Sequence, residues 1–384
     1  MDYIKILENL ISIDTTMPPG ENYLKAITYL DPLFQQAGCK TEVIRIPPEH
    51  AEGRSGRVNL VCHRREPGKP RMIFYGHIDV VPAEGWPAFQ TRRESGRVYG
   101  RGAADMKGGI VALLAGLEAV KDEPLQYDTS VIITTDEEFS QATQLIYIAR
   151  FLQPLAGSHV FSLDSGFGGV GITDLGVIHL DILVKGKSVH SGMSHQGINA
   201  VEQAIPILNA LMELKERVVQ RKSSVRVHPA TDLTHMVARL NINVVKGGLK
   251  VNIVPDECLI SVDRRLIPEE DIAAAEKELM DTLQPVSGVE WEIADIYRIP
   301  PVPPVQGPVI DKLEKIIKTV TGSSGQYGEM GSGDLSSIVA QNWGGQEFSL
   351  GVIRPECNIH GRNEFVYEKD ITDLGKIIAL FLRE

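Results

Sequence analysis

Short apolar runs that stop abruptly on acids or a histidine govern how this chain can fold. Residues 72–75 lead into Gly76 and His77, 131–134 into Asp136, Glu137 and Glu138, and 160–163 into Asp164. A fourth run, 348–350, precedes a longer loop that reaches His360. Between the first two, residues 106–120 set Ile110, Leu113, Leu114, Leu117 and Val120 on one helical face. Helical spacing recurs over 3–13 and 23–37, with Gly38 as a stop. Strands alternating with helices imply an α/β fold with parallel strands. Ligands of such sheets bind beyond the carboxyl ends of the strands, which is where these polar residues fall.

The chain has 384 residues, more than the roughly 250–300 at which a single core stops growing, so two domains are expected. Residues 177–296 read differently from the rest. Strand-like stretches at 177–184, 233–245, 251–264 and 289–296 enclose a helix over 200–219 and a second that Pro268 opens and that runs to Leu283. That order, βαββαβ, is the ferredoxin-like unit. It is expected as an insertion into a discontinuous larger domain of residues 1–176 and 297–384. Pro300, Pro301, Pro303 and Pro304 mark the return.

A net charge of −11 disfavours nucleic acid and anionic membranes as partners and leaves small molecules and peptides. The four cysteines lie far apart with no Cys-x-x-Cys pair, against both a disulfide framework and a thiolate zinc site. The acidic, amphipathic first residues are unlike a signal peptide, and no apolar run nears the ~20 residues of a membrane span, so a cytoplasmic protein is expected. Residues 166–171 fit G-x-G-x-x-G, but strand-like sequence follows where a dinucleotide site needs a helix. Neither His-Glu-x-x-His nor Gly-x-Ser-x-Gly occurs.

His77 with Asp79 at a strand end suits metal binding, since the carboxylate can hold the second ring nitrogen and fix the tautomer. By itself such a pair is more often ordinary loop chemistry than a metal site. Asp105 stands at a helix start, where an acid often caps, yet the glycines on both sides (Gly100, Gly102, Gly108, Gly109) exceed what a cap needs. Asp136, Glu137 and Glu138 repel one another unless a cation or a shared proton relieves them. Asp164 and His360 gain weight from following strands.

Together these segments, ending in His360-Gly361-Arg362-Asn363-Glu364, resemble the dizinc exopeptidase and deacylase family of acetylornithine deacetylase, succinyl-diaminopimelate desuccinylase, aminoacylase and glutamate carboxypeptidase. The resemblance spans essentially the whole chain. It implies a zinc-exopeptidase-like catalytic domain, its mixed, mainly parallel sheet flanked by helices, and an inserted lid and dimerisation domain. It also implies two Zn²⁺ ions, with Co²⁺ or Mn²⁺ as other options. Asp105 would bridge the metals next to a cis peptide at Asp105–Met106. His77 and Asp164 would complete one metal, and Glu138 and His360 the other. Asp79 would support His77, and Glu137 would be the general base that activates a metal-bridging water.

In the insertion, His190 through Ala200 matches the family's His-Ser segment, so His190 would stabilise the oxyanion, reaching across from a partner subunit. Asn252 and Arg265 fall in two further family segments and would hold a substrate carboxylate, with Arg264 facing the other way. Gly331, Ser332, Gly333 and Asp334 resemble the family's Gly-rich substrate loop. Three positions depart from the pattern. Asp164 replaces the Glu of deacylases and carboxypeptidases and matches the aminopeptidase and dipeptidase branches. No Arg-Pro follows His190, and Gly333 replaces a usual Ser. The expectation is a metal-dependent hydrolase of N-acyl amino acids or short peptides with a free carboxylate. An aminopeptidase or dipeptidase is the alternative, and a non-catalytic binding protein on the same scaffold a third reading.

Overall fold

Apolar residues alternate so completely along the central strands that both sheet faces must be covered, and both are. Every residue of Arg71–His77 is buried. Met72 and Phe74 point into the main core, whereas Ile73 and Tyr75 point into a smaller cluster with Val61, Ile132 and Val160. The computed structural model describes residues 1–139, 142–153, 155–333 and 345–383.

The large sheet has eight strands in the order Lys40–Arg45, Val58–Arg64, Asp128–Thr134, Arg71–His77, His159–Ser162, Glu347–Ser349, Val170–Thr173 and Gln326–Gly328. The four middle strands run parallel, and the outer pairings are mixed. Helices Tyr3–Ile11, Tyr23–Gln36, Gly108–Ala119, Pro308–Thr321 and Glu368–Arg383 bury Leu10, Phe34, Leu117, Leu313 and Phe381 in the main core. The fold is thus α/β, with a mixed, mainly parallel sheet flanked by helices.

Between the seventh and eighth of these strands lies a second sheet, fully antiparallel, in the order Arg239–Gly247, Glu257–Leu266, Gly176–Lys185, Trp291–Ile299. Helices Ala200–Val218 and Ile272–Leu283 accompany it, giving the βαββαβ arrangement in its ferredoxin-like strand order.

Local details depart from the periodicity. The expected strand over 233–245 is two: His235–Val237 pairs with Lys222–Arg226, and Arg239–Gly247 joins the larger sheet. Pro255 lacks an N–H for a ladder and separates Ile253–Val254 from Glu257–Leu266. Pro268 does not open the second helix. Residues 267–270 form a turn, with the Glu270 N–H on the Ile267 carbonyl, and Asp271 then caps the helix by accepting from the Ala274 N–H at 2.8 Å. The helix expected over 106–120 starts only at Gly108, after a wide turn at 103–107 that contains a cis Asp105–Met106 peptide. Among the described residues no helix is long and apolar enough to cross a membrane.

Candidate active site

Neighbouring parallel strands end side by side, so residues far apart in sequence meet at one sheet edge. His77 closes its strand, and the Ile78 N–H donates to the Thr134 carbonyl at 3.0 Å, tying the two strand ends together. Asp79 is fully buried next to it. His77 Nδ1 lies 3.2 Å from the Asp79 carbonyl and 3.4 Å from Asp79 Oδ1, while Asp79 Oδ2 accepts from the Glu138 N–H at 2.9 Å. Asp79 therefore orients the ring and also fixes the acidic loop opposite.

That loop divides its three acids. Asp136, in the left-handed region at φ 68, turns back into the protein. It accepts from Tyr23 Oη at 2.8 Å and Arg54 Nε at 2.7 Å, and pairs closely with Arg57. Two guanidinium cations thus relieve Asp136, leaving Glu137 and Glu138 directed to the strand ends.

Asp105 is held from beneath. Glu364, fully buried, accepts N–H bonds from Gly102, Ala104 and Asp105 and binds Arg101 at 2.7 Å. At Gly108 an added Cβ would stand 2.5 Å from the Ala103 carbonyl oxygen, so glycine lets the helix start fold back on this turn.

The carboxylate of Asp105 then faces two ways. Its Oδ1 lies 3.5 Å from His77 Nε2, and its Oδ2 lies 3.0 Å from His360 Nε2. Asp164 and Glu137 approach His77 Nε2 at 3.6 and 3.9 Å, and Glu138 approaches His360 Nε2 at 3.4 Å. Two adjoining sets result, His77 with Glu137 and Asp164, and Asp105 with Glu138 and His360.

Electrostatics follow from this crowding of acids. Burial works against a charged His77, yet Asp105, Asp164 and Asp79 hold its pKa well above the ordinary value. Asp105 and Glu138 hold His360 up at about 10. Burial, with Asp105 adding, pushes Glu138 up to about 7 against the pull of His360, and burial and Asp105 likewise raise Asp164. Burial would raise Asp105 too, but the two imidazoles hold it below the usual carboxylate range.

Metal ions fit this donor set. Among the described residues His77 Nε2 is buried without a hydrogen-bond partner although three carboxylates surround it at 3.5–3.9 Å. Two ligands at ~2.1 Å from one tetrahedral cation stand about 3.4 Å apart, near that spacing. The donors are imidazoles and carboxylates, and the four cysteines are buried and unpaired elsewhere.

The remaining expected residues divide. A cavity of about 720 Å³ has Glu137 and Glu138 on one wall and Arg265 and Ser332 on the other. Arg265 Nε lies 3.0 Å from Asp263, and its Nη1 donates to Ser332 Oγ at 3.1 Å. Arg264 points inward, fully buried against Glu270. Gly331, Ser332 and Gly333 line a second cavity together with Asp105, Glu137, Asp164 and His360. Asp334 lies outside the described residues.

His190 and Asn252 line neither cavity. They neighbour each other on the inserted unit, where the Ser191 N–H donates to the Asn252 carbonyl. His190 is exposed, and Asn252 Oδ1 is buried without a partner among the described residues. No role was legible in sequence for Glu364, at the end of the 360–364 segment, nor for the Tyr23, Arg54 and Arg57 clamp. No motif spacing signals that clamp, because its partners lie 113, 82 and 79 residues from Asp136.

Comparisons with known proteins agree with this geometry. Residues 73–384 match peptidase family M20/M25/M40. A probable succinyl-diaminopimelate desuccinylase of Staphylococcus aureus strain MSSA476 is 24% identical over 371 residues, covering 88% of this chain and 86% of the relative. An M20 family metallo-carboxypeptidase of Sulfolobus solfataricus shares the fold at a TM-score of 0.81 and 18% identity, over 100% of this chain and 99% of the other. A dinuclear metal binding peptidase from the M20 family of Bacillus subtilis shares it at 0.65 and 14%, over 99% and 95%. The chain therefore belongs to peptidase family M20/M25/M40, and its reaction is the metal-dependent hydrolysis of an amide bond.

Proposed function

We propose that this enzyme cleaves the amide of an N-acyl amino acid or a short peptide with a free carboxylate, as a cytoplasmic homodimer holding two Zn²⁺ per chain. The observation that carries the reading is the two-way Asp105 carboxylate, with one oxygen toward His77 and the other toward His360. His77 and Asp164 would hold one ion, Glu138 and His360 the other, and Asp105 both. Zinc suits a set of imidazoles and carboxylates, and Co²⁺ or Mn²⁺ could replace it. When bound, the metal pair supplies Lewis acidity, which makes a water nucleophilic at neutral pH and polarises the amide carbonyl.

The chain's own groups do the rest. Glu137 takes the proton of the attacking water and passes it to the leaving amine, acting first as base and then as acid. Asp79 keeps the His77 ring in its tautomer. Arg265 receives the substrate carboxylate, helped by backbone N–H groups of Gly331, Ser332 and Gly333, and the partner subunit's Asn252, which neighbours His190, joins them. The partner subunit's His190 faces the developing oxyanion, in keeping with the exposed position of this residue. The metal-bearing domain comprises residues 1–176 and 297–384. The inserted domain, 177–296, serves as lid and dimer contact, closing over the cleft by hinges near Val177 and Ile296 and excluding water.

Hydrolysis of N-acyl amino acids and dipeptides by zinc-loaded protein tests this. Chelation should abolish turnover and zinc restore it, and amidating the substrate carboxylate should lower kcat/KM by ~10²-fold or more, as expected for loss of a charged pair. Equal cleavage of free and amidated substrates would refute the carboxylate requirement.

A further inference from the structure

The second cavity, about 490 Å³, runs from the metal-ligating side chains to a group of acids that the hydrolysis does not use. Asp174, Glu329 and Glu347 line it, and Phe167, Tyr327 and Met330 contribute apolar wall. Glu347 is 6% exposed, and its Oε2 has no hydrogen-bond partner among the described residues. Glu329 accepts from Ser165 Oγ at 2.6 Å. None of the three acids forms an ion pair among the described residues, and the stretch 334–344 contains no Lys, Arg or His. The one arginine on the lining, Arg354, is clamped by Asp370, with its Nη2 at 2.9 Å from Oδ1. His228, also on the lining, is held below its ordinary pKa by burial and by Arg354.

We propose that this cavity is a specificity pocket for a cationic side chain, in which Asp174, Glu329 and Glu347 receive a substrate ammonium or guanidinium group. This rests on the function proposed above and specifies its substrate class. A buried carboxylate without a counter-charge is costly, and a substrate cation that brings the charge removes the cost. The apolar wall suits the methylene stem of such a side chain. Burial, with the charges of Glu347 and Glu329 adding, lifts Asp174 well above the carboxylate range. Burial alone pushes Glu347 up to about 7.

Matched pairs test the proposal in zinc-loaded protein. N-acetyl-L-lysine and N-acetyl-L-arginine are compared with N-acetyl-L-norleucine as substrates, and L-lysine with L-norleucine as ligands by calorimetry. The cationic member should be favoured at least ~30-fold in both, and Glu347→Gln or Asp174→Asn should each shrink that ratio several-fold. Norleucine handled as well as lysine, or a ratio unchanged in both variants, would overturn the pocket. Tighter binding of glycyl-norleucine than of N-acetyl-lysine would also overturn it, by placing the recognised cation at a free amino terminus. Hydrolysis without cation preference sinks this inference alone. Lysine-selective binding without any hydrolysis sinks the proposed function and leaves the pocket standing.

Discussion

At the scale of single residues, adjacent acids do different work because the backbone aims them differently. Asp136 is neutralised by Arg54 and Arg57, whereas Glu138 groups with Asp105 and His360, and Glu137 stands 3.9 Å from His77 Nε2. Glu137→Gln should keep both metals, measured by elemental analysis, and lower kcat by ~10²–10⁴-fold, the usual contribution of a general base. Wild-type turnover in that variant would remove Glu137 from the proton path. His77, Glu138, Asp164 and His360 were legible as candidate ligands because each follows a strand-like run, and strand ends converge in parallel sheets, whereas Asp105 stood out by its flanking glycines. Asp174, Glu329 and Glu347 were not legible: they occupy no shared motif, and only the packing of three strand ends around one cavity brings them together.

At the scale of elements, the turn before helix Gly108–Ala119 holds the Asp105 carboxylate. Glu364 gathers its N–H groups, and Gly108 allows the helix to fold back on the Ala103 carbonyl. Gly108→Ala should cost about 1–3 kcal/mol in denaturant melts, as overpacking does, and should weaken zinc binding measurably as Asp105 shifts. Unchanged metal affinity would show that the turn does not position the ligand. Helices and buried strands were legible from period, since Phe74 and Tyr75 must face opposite layers. The breaks at Pro255 and before Ile272 were less so, because a ladder interruption and an Asp271 cap depend on hydrogen bonds that apolar spacing does not report.

At the scale of the whole molecule, the inserted unit carries an exposed apolar set, Val201, Ile205, Val244, Val245, Leu249 and Val251, that a lone subunit leaves to water. The dimer proposed above would cover it and bring the partner subunit's His190 to the cleft. Mixing equal amounts of His190→Ala and Glu137→Gln, each nearly inactive alone, should restore about a quarter of wild-type turnover, since about half the dimers are then mixed and one of their two sites is intact. No recovery on subunit exchange, with light scattering reporting monomers, would contradict the dimer. All of this depends on two metals sharing Asp105. The most direct test is anomalous diffraction from zinc-loaded crystals. Two peaks roughly 3.5–4 Å apart are expected, one toward His77 and Asp164 and the other toward Glu138 and His360. A single peak, or peaks remote from Asp105 in crystals of active protein, would contradict it.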